Sequence, residues 1–294
     1  MTAPRRVLPG ATYLITRRCS ERRLFLRPSR TVNAIFLYVL AIAASRYGVR
    51  VHAVCVLSNH VHLVATDPEA RLPAFMQFLS SQVARATNAA LGRWEAFWAS
   101  GSYSAVRLES AEDVVAKTAY ALANPVAARL VARGSEWPGL RTAPEQIGGA
   151  ALRAERPKTF YRPEGQLPET ATLELPAPPG FASATAFREQ LGAALHVLEQ
   201  KAASSGRAVL GAAKVLSQKP WARPAPSEPR RGLNPRIAAR DKWKRIEAIS
   251  RLKEFLCAYR AAWHERRRGG PGVVFPAGTY LLRVLHCAAC VAAA

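Results

Sequence analysis

The chain has 294 residues, 49% of them apolar, which is enough for a real core and, at roughly 150 residues per domain, predicts two domains. Lys and Arg number 42 against 20 Asp and Glu, giving a net charge of +22 and a pI near 10.8; such a field attracts polyanions, a nucleic-acid backbone first among them, and an idle basic surface ranks well behind. An odd set of five scattered cysteines excludes a secreted disulfide framework, and the lack of a signal-like N-terminus or an apolar run of about 18 residues points away from the membrane and to a reducing cytoplasm.

Residues 12–20 read as a strand from their β-branched and aromatic content. Residues 30–47 read as a helix, with Val32, Ile35, Phe36, Val39, Leu40 and Ala43 on one face and Gly48 as its stop. Val49–Val56 and His60–Thr66 alternate apolar and polar residues around Leu57-Ser58-Asn59, the pattern of a hairpin. A second amphipathic helix spans 71–91, and residues 97–108 read as a fourth strand or an ordered approach to one. A third helix starts at Ser110, with Asp113 at capping-box spacing, and runs toward Asn124-Pro125. The order β-α-β-β-α-β with a closing helix predicts an α+β, ferredoxin-like antiparallel sheet with helices on one face over residues 1–140. Residues 141–182, rich in Gly, Pro and Glu, read as a linker or wrap. Residues 183–294 read as a helical, basic region: helices at 183–203 and 206–217, a proline-rich break at 219–229, and one long helix over 235–268.

Along a strand, side chains alternate faces, so His60 and His62 point the same way, about 6–7 Å apart at Cβ, and Val61 points into the core. Imidazoles at that spacing can converge on one divalent metal, although two solvated or core histidines fit the spacing as well. Tyr120 and Asn124 are i and i+4 and share a helix face. Tyr120 also reads as a half-buried helix tyrosine, and Asn124 before Pro125 also reads as the N-cap of a new turn.

Leu57-Ser58-Asn59-His60-Val61-His62-Leu63-Val64 resembles the histidine–hydrophobic–histidine (HUH) motif of the single-tyrosine transposases, above all the REP-associated group. Ala119-Tyr120-Ala121-Leu122-Ala123-Asn124-Pro125-Val126 resembles that family's tyrosine helix, and it follows His62 by 58 residues, in the family's order. The resemblance covers roughly residues 1–140 and implies a DNA transposase that cuts and rejoins single-stranded, hairpin-flanked DNA. It implies Tyr120 as nucleophile through a 5′-phosphotyrosine intermediate, with Mg2+ or Mn2+ held by His60, His62 and Asn124. It implies a bacterial, nucleoid-associated protein, as a monomer or as a homodimer exchanging tyrosine helices. The sequence departs from the pattern in its alanines around Tyr120, which put its packing in doubt. A domesticated protein that binds hairpin DNA without cutting it is the alternative.

Candidate phosphate contacts lie in two basic segments. Arg5, Arg6, Arg17, Arg18, Arg22 and Arg23 form an N-terminal arm, and Lys242, Lys244, Arg245 and Arg251 stud the long C-terminal helix. For any one of them a solvated face is an equal reading. Trp94, Phe97, Trp98 and Tyr103 are candidates for stacking unpaired bases, with core packing the commoner fate. Cys287 and Cys290 form a Cys-x-x-Cys without a second pair nearby, so they read as an ordinary tail.

Overall fold

The structure, a computed structural model, describes residues 4–162, 164–224 and 235–292. Its centre is a sheet of β1 (Ala11–Arg18), β2 (Arg50–Leu57), β3 (His60–Asp67) and β4 (Ser104–Leu108), in the order β2-β3-β1-β4 and antiparallel throughout. Two helices cover one face. The first, α1 (Arg30–Tyr47), is capped by the Ser29 hydroxyl and ended by Gly48 in the left-handed region. The second, α2 (Leu72–Ala90), is capped by Asp67, whose carboxylate oxygens accept from the Arg71 and Leu72 amides. Beneath them Tyr13, Ile15, Val61 and Leu63 form the larger core.

The other face is covered as well, which corrects the expectation of helices on one face. Helix α3 (Ala111–Ala127) lies across β2 and β3, and α4 (Ala184–Ala203) packs on α3. Leu14, Ala53, Cys55, Leu57 and Val64 make this second face apolar too, so it needs its own cover. The alanines around Tyr120 have a packing role: Ala119, Ala121 and Ala123 are buried, and their small size lets α3 sit close to sheet and α4. The core runs from α3 into Phe187, Leu191 and Leu195 of α4 and Val215 of α5 (Ala212–Ser217).

Residues 141–182 carry a short hairpin, β5 (Leu152–Glu155) and β6 (Thr170–Leu173), packed on α1. The helix expected over 206–217 shrinks to α5, because Gly206 and Gly211 take positive φ. Of the proline-rich break at 219–229, residues 225–229 lie outside the described residues. The long helix expected from Pro235 begins later. Ile237–Ala238 first form β7, which pairs parallel with β4 and makes the five-stranded sheet mixed rather than antiparallel. Asp241 then caps α6 (Lys242–Arg267) by accepting from the Lys244 amide. A last short helix, α7 (Leu281–His286), shares a small third core with α6 through Ala262 and Leu282. No helix among the described residues is long and apolar enough to cross a membrane.

Candidate active site

The strand register determines which histidine atoms meet. β3 opens with His60 directly after the two-residue turn Ser58-Asn59, and alternation sends His60 and His62 to the α3 face. Their Nε2 atoms stand 3.1 Å apart. Each Nδ1 is held from behind: that of His60 lies 2.6 Å from Asn59 Oδ1, and that of His62 lies 2.9 Å from Thr16 Oγ1. The Asn59 oxygen can only accept, so His60 carries its proton on Nδ1 and turns the Nε2 lone pair inward. A Thr16 hydroxyl accepting in the same way sets the same tautomer in His62.

Burial keeps both rings neutral. It pushes His60 well below the usual imidazole range, with help from His62 and Arg18, and pushes His62 down to about 4, with help from Arg18. Two neutral nitrogens 3.1 Å apart repel across their lone pairs unless a cation lies between them. At metal–ligand lengths of about 2.1 Å that separation subtends about 95°, close to the angle between neighbouring ligands of an octahedral ion. The donor set therefore fits a divalent metal.

Helix α3 supplies the rest. Asn124 reaches His62, its Nδ2 standing 3.3 Å from Nε2, and a half-turn of the amide brings Oδ1 to the same place. The helix continues through Pro125 to Ala127, so Asn124 is not the N-cap of a new turn. One turn back, the Tyr120 ring lies 5.5 Å from the His62 ring at 69°, and 48% of the residue is open to solvent. One turn further back, Lys117 Nζ is 5.7 Å from the Tyr120 ring centre. Among the described residues no group of three His, Cys, Asp or Glu converges, so the site offers two imidazoles and an amide without a carboxylate. Cys55, opposite His62 in register, is no ligand: burial pushes its thiol up to about 12, and it remains a core side chain.

These groups face a cleft of about 1850 Å3 whose lining is basic, with Arg17, Arg18, Arg22, Arg207, Arg223, Arg240 and Arg245. Of these, Arg207, Arg223 and Arg240 were missed by sequence reasoning. The anchor of Arg240 was legible only as a helix cap. Asp113 exchanges hydrogen bonds with Ser110, and its Oδ1 also accepts from the Arg240 amide at 2.8 Å, tying the segment before α6 to the start of α3.

The remaining expected contacts divide. Arg5, Arg6 and Arg251 line a separate, smaller cavity. Arg23 turns to Glu21 and the Trp221 carbonyl, and Lys242 and Lys244 line neither cavity, Lys242 resting over Trp243. Of the candidate stacking aromatics, Phe97 is core, Trp98 is tied to the Ser80 carbonyl, Tyr103 lies under Arg5, and Trp94 is exposed. Cys287 and Cys290 are free thiols.

No protein-family model and no curated protein matches the chain. Among solved structures it is similar to a REP-associated tyrosine transposase bound to a REP hairpin, at 18% identity and a TM-score of 0.42, over 55% of this chain and 89% of that one. It is also similar to a provisionally assigned transposase from Deinococcus radiodurans R1, at 21% identity and a TM-score of 0.29, over 36% of this chain and 85% of that one.

Proposed function

We propose that the protein is a DNA transposase that cleaves and rejoins single-stranded, hairpin-flanked DNA through a covalent 5′-phosphotyrosine on Tyr120. The observation that carries the reading is the approach of His60 Nε2 and His62 Nε2 to 3.1 Å, with the Tyr120 ring 5.5 Å from His62 on the floor of a basic cleft. His60, His62 and Asn124 would hold a divalent ion, Mg2+ or Mn2+, which when bound polarises the scissile phosphate and offsets the charge building on its oxygens. All three protein donors are neutral, so they leave the ion's charge undiminished for phosphate.

Tyr120 brings its hydroxyl to phosphorus from the open side of α3. The new bond joins the phenol oxygen to phosphorus, and the bond to the upstream 3′-oxygen breaks. The proton lost by the phenol is matched by the one gained by the departing 3′-hydroxyl. The phosphotyrosine conserves the bond, so a second 3′-end can displace Tyr120 without an external energy source. Lys117 and the arginines lining the cleft hold the strand by its phosphates. The strand order β2-β3-β1-β4 supports the ferredoxin-like plan. Work on chromosomal DNA would place it in a bacterial cytoplasm, at the nucleoid.

Incubation with Mg2+ and a labelled hairpin carrying a single-stranded flank tests the reading. A detergent-resistant protein–DNA adduct is expected from the wild-type protein and none from Tyr120→Phe. Tight hairpin binding without any adduct would assign the chain to a protein that binds and does not cut.

A further inference from the structure

A second cavity, of about 210 Å3, lies at the edge of the sheet where β7 joins β4, and its walls are crowded with arginine. Arg5, Arg6, Arg107, Arg236 and Arg251 line it, with Glu109 as the one acidic residue among the described residues. The Glu109 carboxylate is only 7% exposed and is already shared, by Arg107 Nε at 3.2 Å and Arg251 Nη2 at 3.3 Å. Arg5 rests over the Tyr103 ring and donates to the Tyr103 carbonyl, and Arg236 donates to the Pro4 carbonyl. Arg6 Nε and Arg5 Nη1 are buried without a hydrogen-bond partner. Burial lowers the pKa of Arg6, the neighbouring Arg107 and Arg251 lower it further, and Glu109 and Glu254 only partly offset them.

A buried charged donor left unpaired is destabilising, and like charges crowded around it add to that. An anion in the cavity removes both penalties. Forked guanidinium groups match the oxygens of a phosphate, and the volume admits a phosphodiester with its sugar but not a base pair. Ser102, Ser104, Pro235 and Ile237 line both this cavity and the cleft of Tyr120, so the two meet across the β4–β7 edge.

We propose that this arginine pocket binds a phosphate of the nucleic-acid strand, anchoring it away from the phosphate that Tyr120 attacks. The proposal rests on the nucleic-acid reading above for the identity of the strand, but not on the chemistry of Tyr120. It gives the N-terminal arm, β4, β7 and α6 one shared ligand.

The test uses the full chain, Arg6→Gln and Arg6→Lys. Inorganic phosphate should raise the melting temperature of the wild-type protein above that in chloride of equal ionic strength, and should do so far less for Arg6→Gln. Binding of a short single-stranded oligonucleotide should weaken several-fold in Arg6→Gln, with the slope of log affinity against log salt falling by roughly 0.7, one phosphate contact on a single strand. Arg6→Lys keeps the charge, so it should keep that slope even if the fork is lost. An unchanged slope and phosphate response in Arg6→Gln would overturn the proposal. A phosphate response lost without any change in oligonucleotide binding would assign the pocket to a free phosphate and overturn the strand assignment. Tyr120→Phe should bind both probes as wild type does. If no protein forms an adduct while the Arg6 effects hold, the tyrosine chemistry fails and the pocket stands.

Discussion

On the face of the sheet covered by α1 and α2, β3 presents Val61, Leu63 and Ala65, all buried in the larger core. One residue along each time, the same strand presents His60, His62 and Val64 to α3. The first face is uniformly apolar. The second is apolar toward one end and polar toward the other, where the cleft opens beside Tyr120 and Asn124. A strand with period two can therefore give one set of side chains to packing and leave the alternate set free for chemistry. Substitutions one position apart should then fail in different ways.

The largest expected effect is on catalysis. His62→Ala should reduce adduct formation by about 100- to 1000-fold, as removal of a group that supports transition-state charge does elsewhere. Its unfolding midpoint should fall by less than that of a larger-core truncation, because the buried ring lies beside the cleft rather than in the larger core. Its neighbour Leu63→Ala should do the reverse, costing roughly 2–5 kcal/mol in urea unfolding while adduct yield per folded molecule stays near wild type. If both variants lose stability and activity in proportion, the division of the two faces fails.

A third histidine gives the comparison a pH dependence. His52 sits at the irregularity between Val51 and Ala53 in β2, fully buried, where its Nδ1 donates to the Pro176 carbonyl and its Nε2 accepts from Thr66. Burial holds its pKa down at about 4 against an ordinary 6.5. A base depressed in the folded state binds more protons when unfolded. Its contribution is thus complete above pH 6.5 and is lost as the pH falls from 6.5 to 4, on the order of 3 kcal/mol in all. The urea midpoint should drop between pH 7 and pH 5 by less in His52→Gln than in wild type. Equal drops would show that His52 is not held neutral by its burial.

The smallest expected effect concerns the residue behind the site. Thr16→Val keeps the shape of β1 but removes the hydroxyl 2.9 Å from His62 Nδ1. Mn2+ affinity, read by spectroscopic titration without any DNA, should weaken about 10–100-fold. Wild-type affinity in Thr16→Val would leave the His62 ring positioned by packing alone.

Much of this division was legible in the sequence because short-range rules set it. Alternation placed Val61 opposite His60 and His62, Gly48 ended α1, and i, i+4 spacing joined Tyr120 to Asn124. What was not legible depended on partners far along the chain. Ile237 falls in the stretch that reads as one long helix, but the edge of β4 was open and took it as β7. Along α6 itself Ile246 and Ile249 remain exposed while Phe255 is buried. The hairpin of β5 and β6 has only four residues per strand, too few to show a period. The cover of the second face depended on Phe187 and Leu191, more than 60 residues beyond Tyr120, and nothing local tied them to α3. The place of Arg240 in the cleft depended in the same way on the long-range bond from its amide to Asp113.

The central claim is that Tyr120, and no other residue, becomes joined to DNA on the face that carries the histidine pair. Protease digestion of the protein–DNA adduct, followed by mass spectrometry of the nucleotide-bearing peptide, tests it directly. The account predicts a single modified peptide, with the nucleotide on the Tyr120 oxygen, formed only when divalent metal is present. A nucleotide on any other residue, or on Tyr120 with undiminished yield in excess chelator, would contradict it.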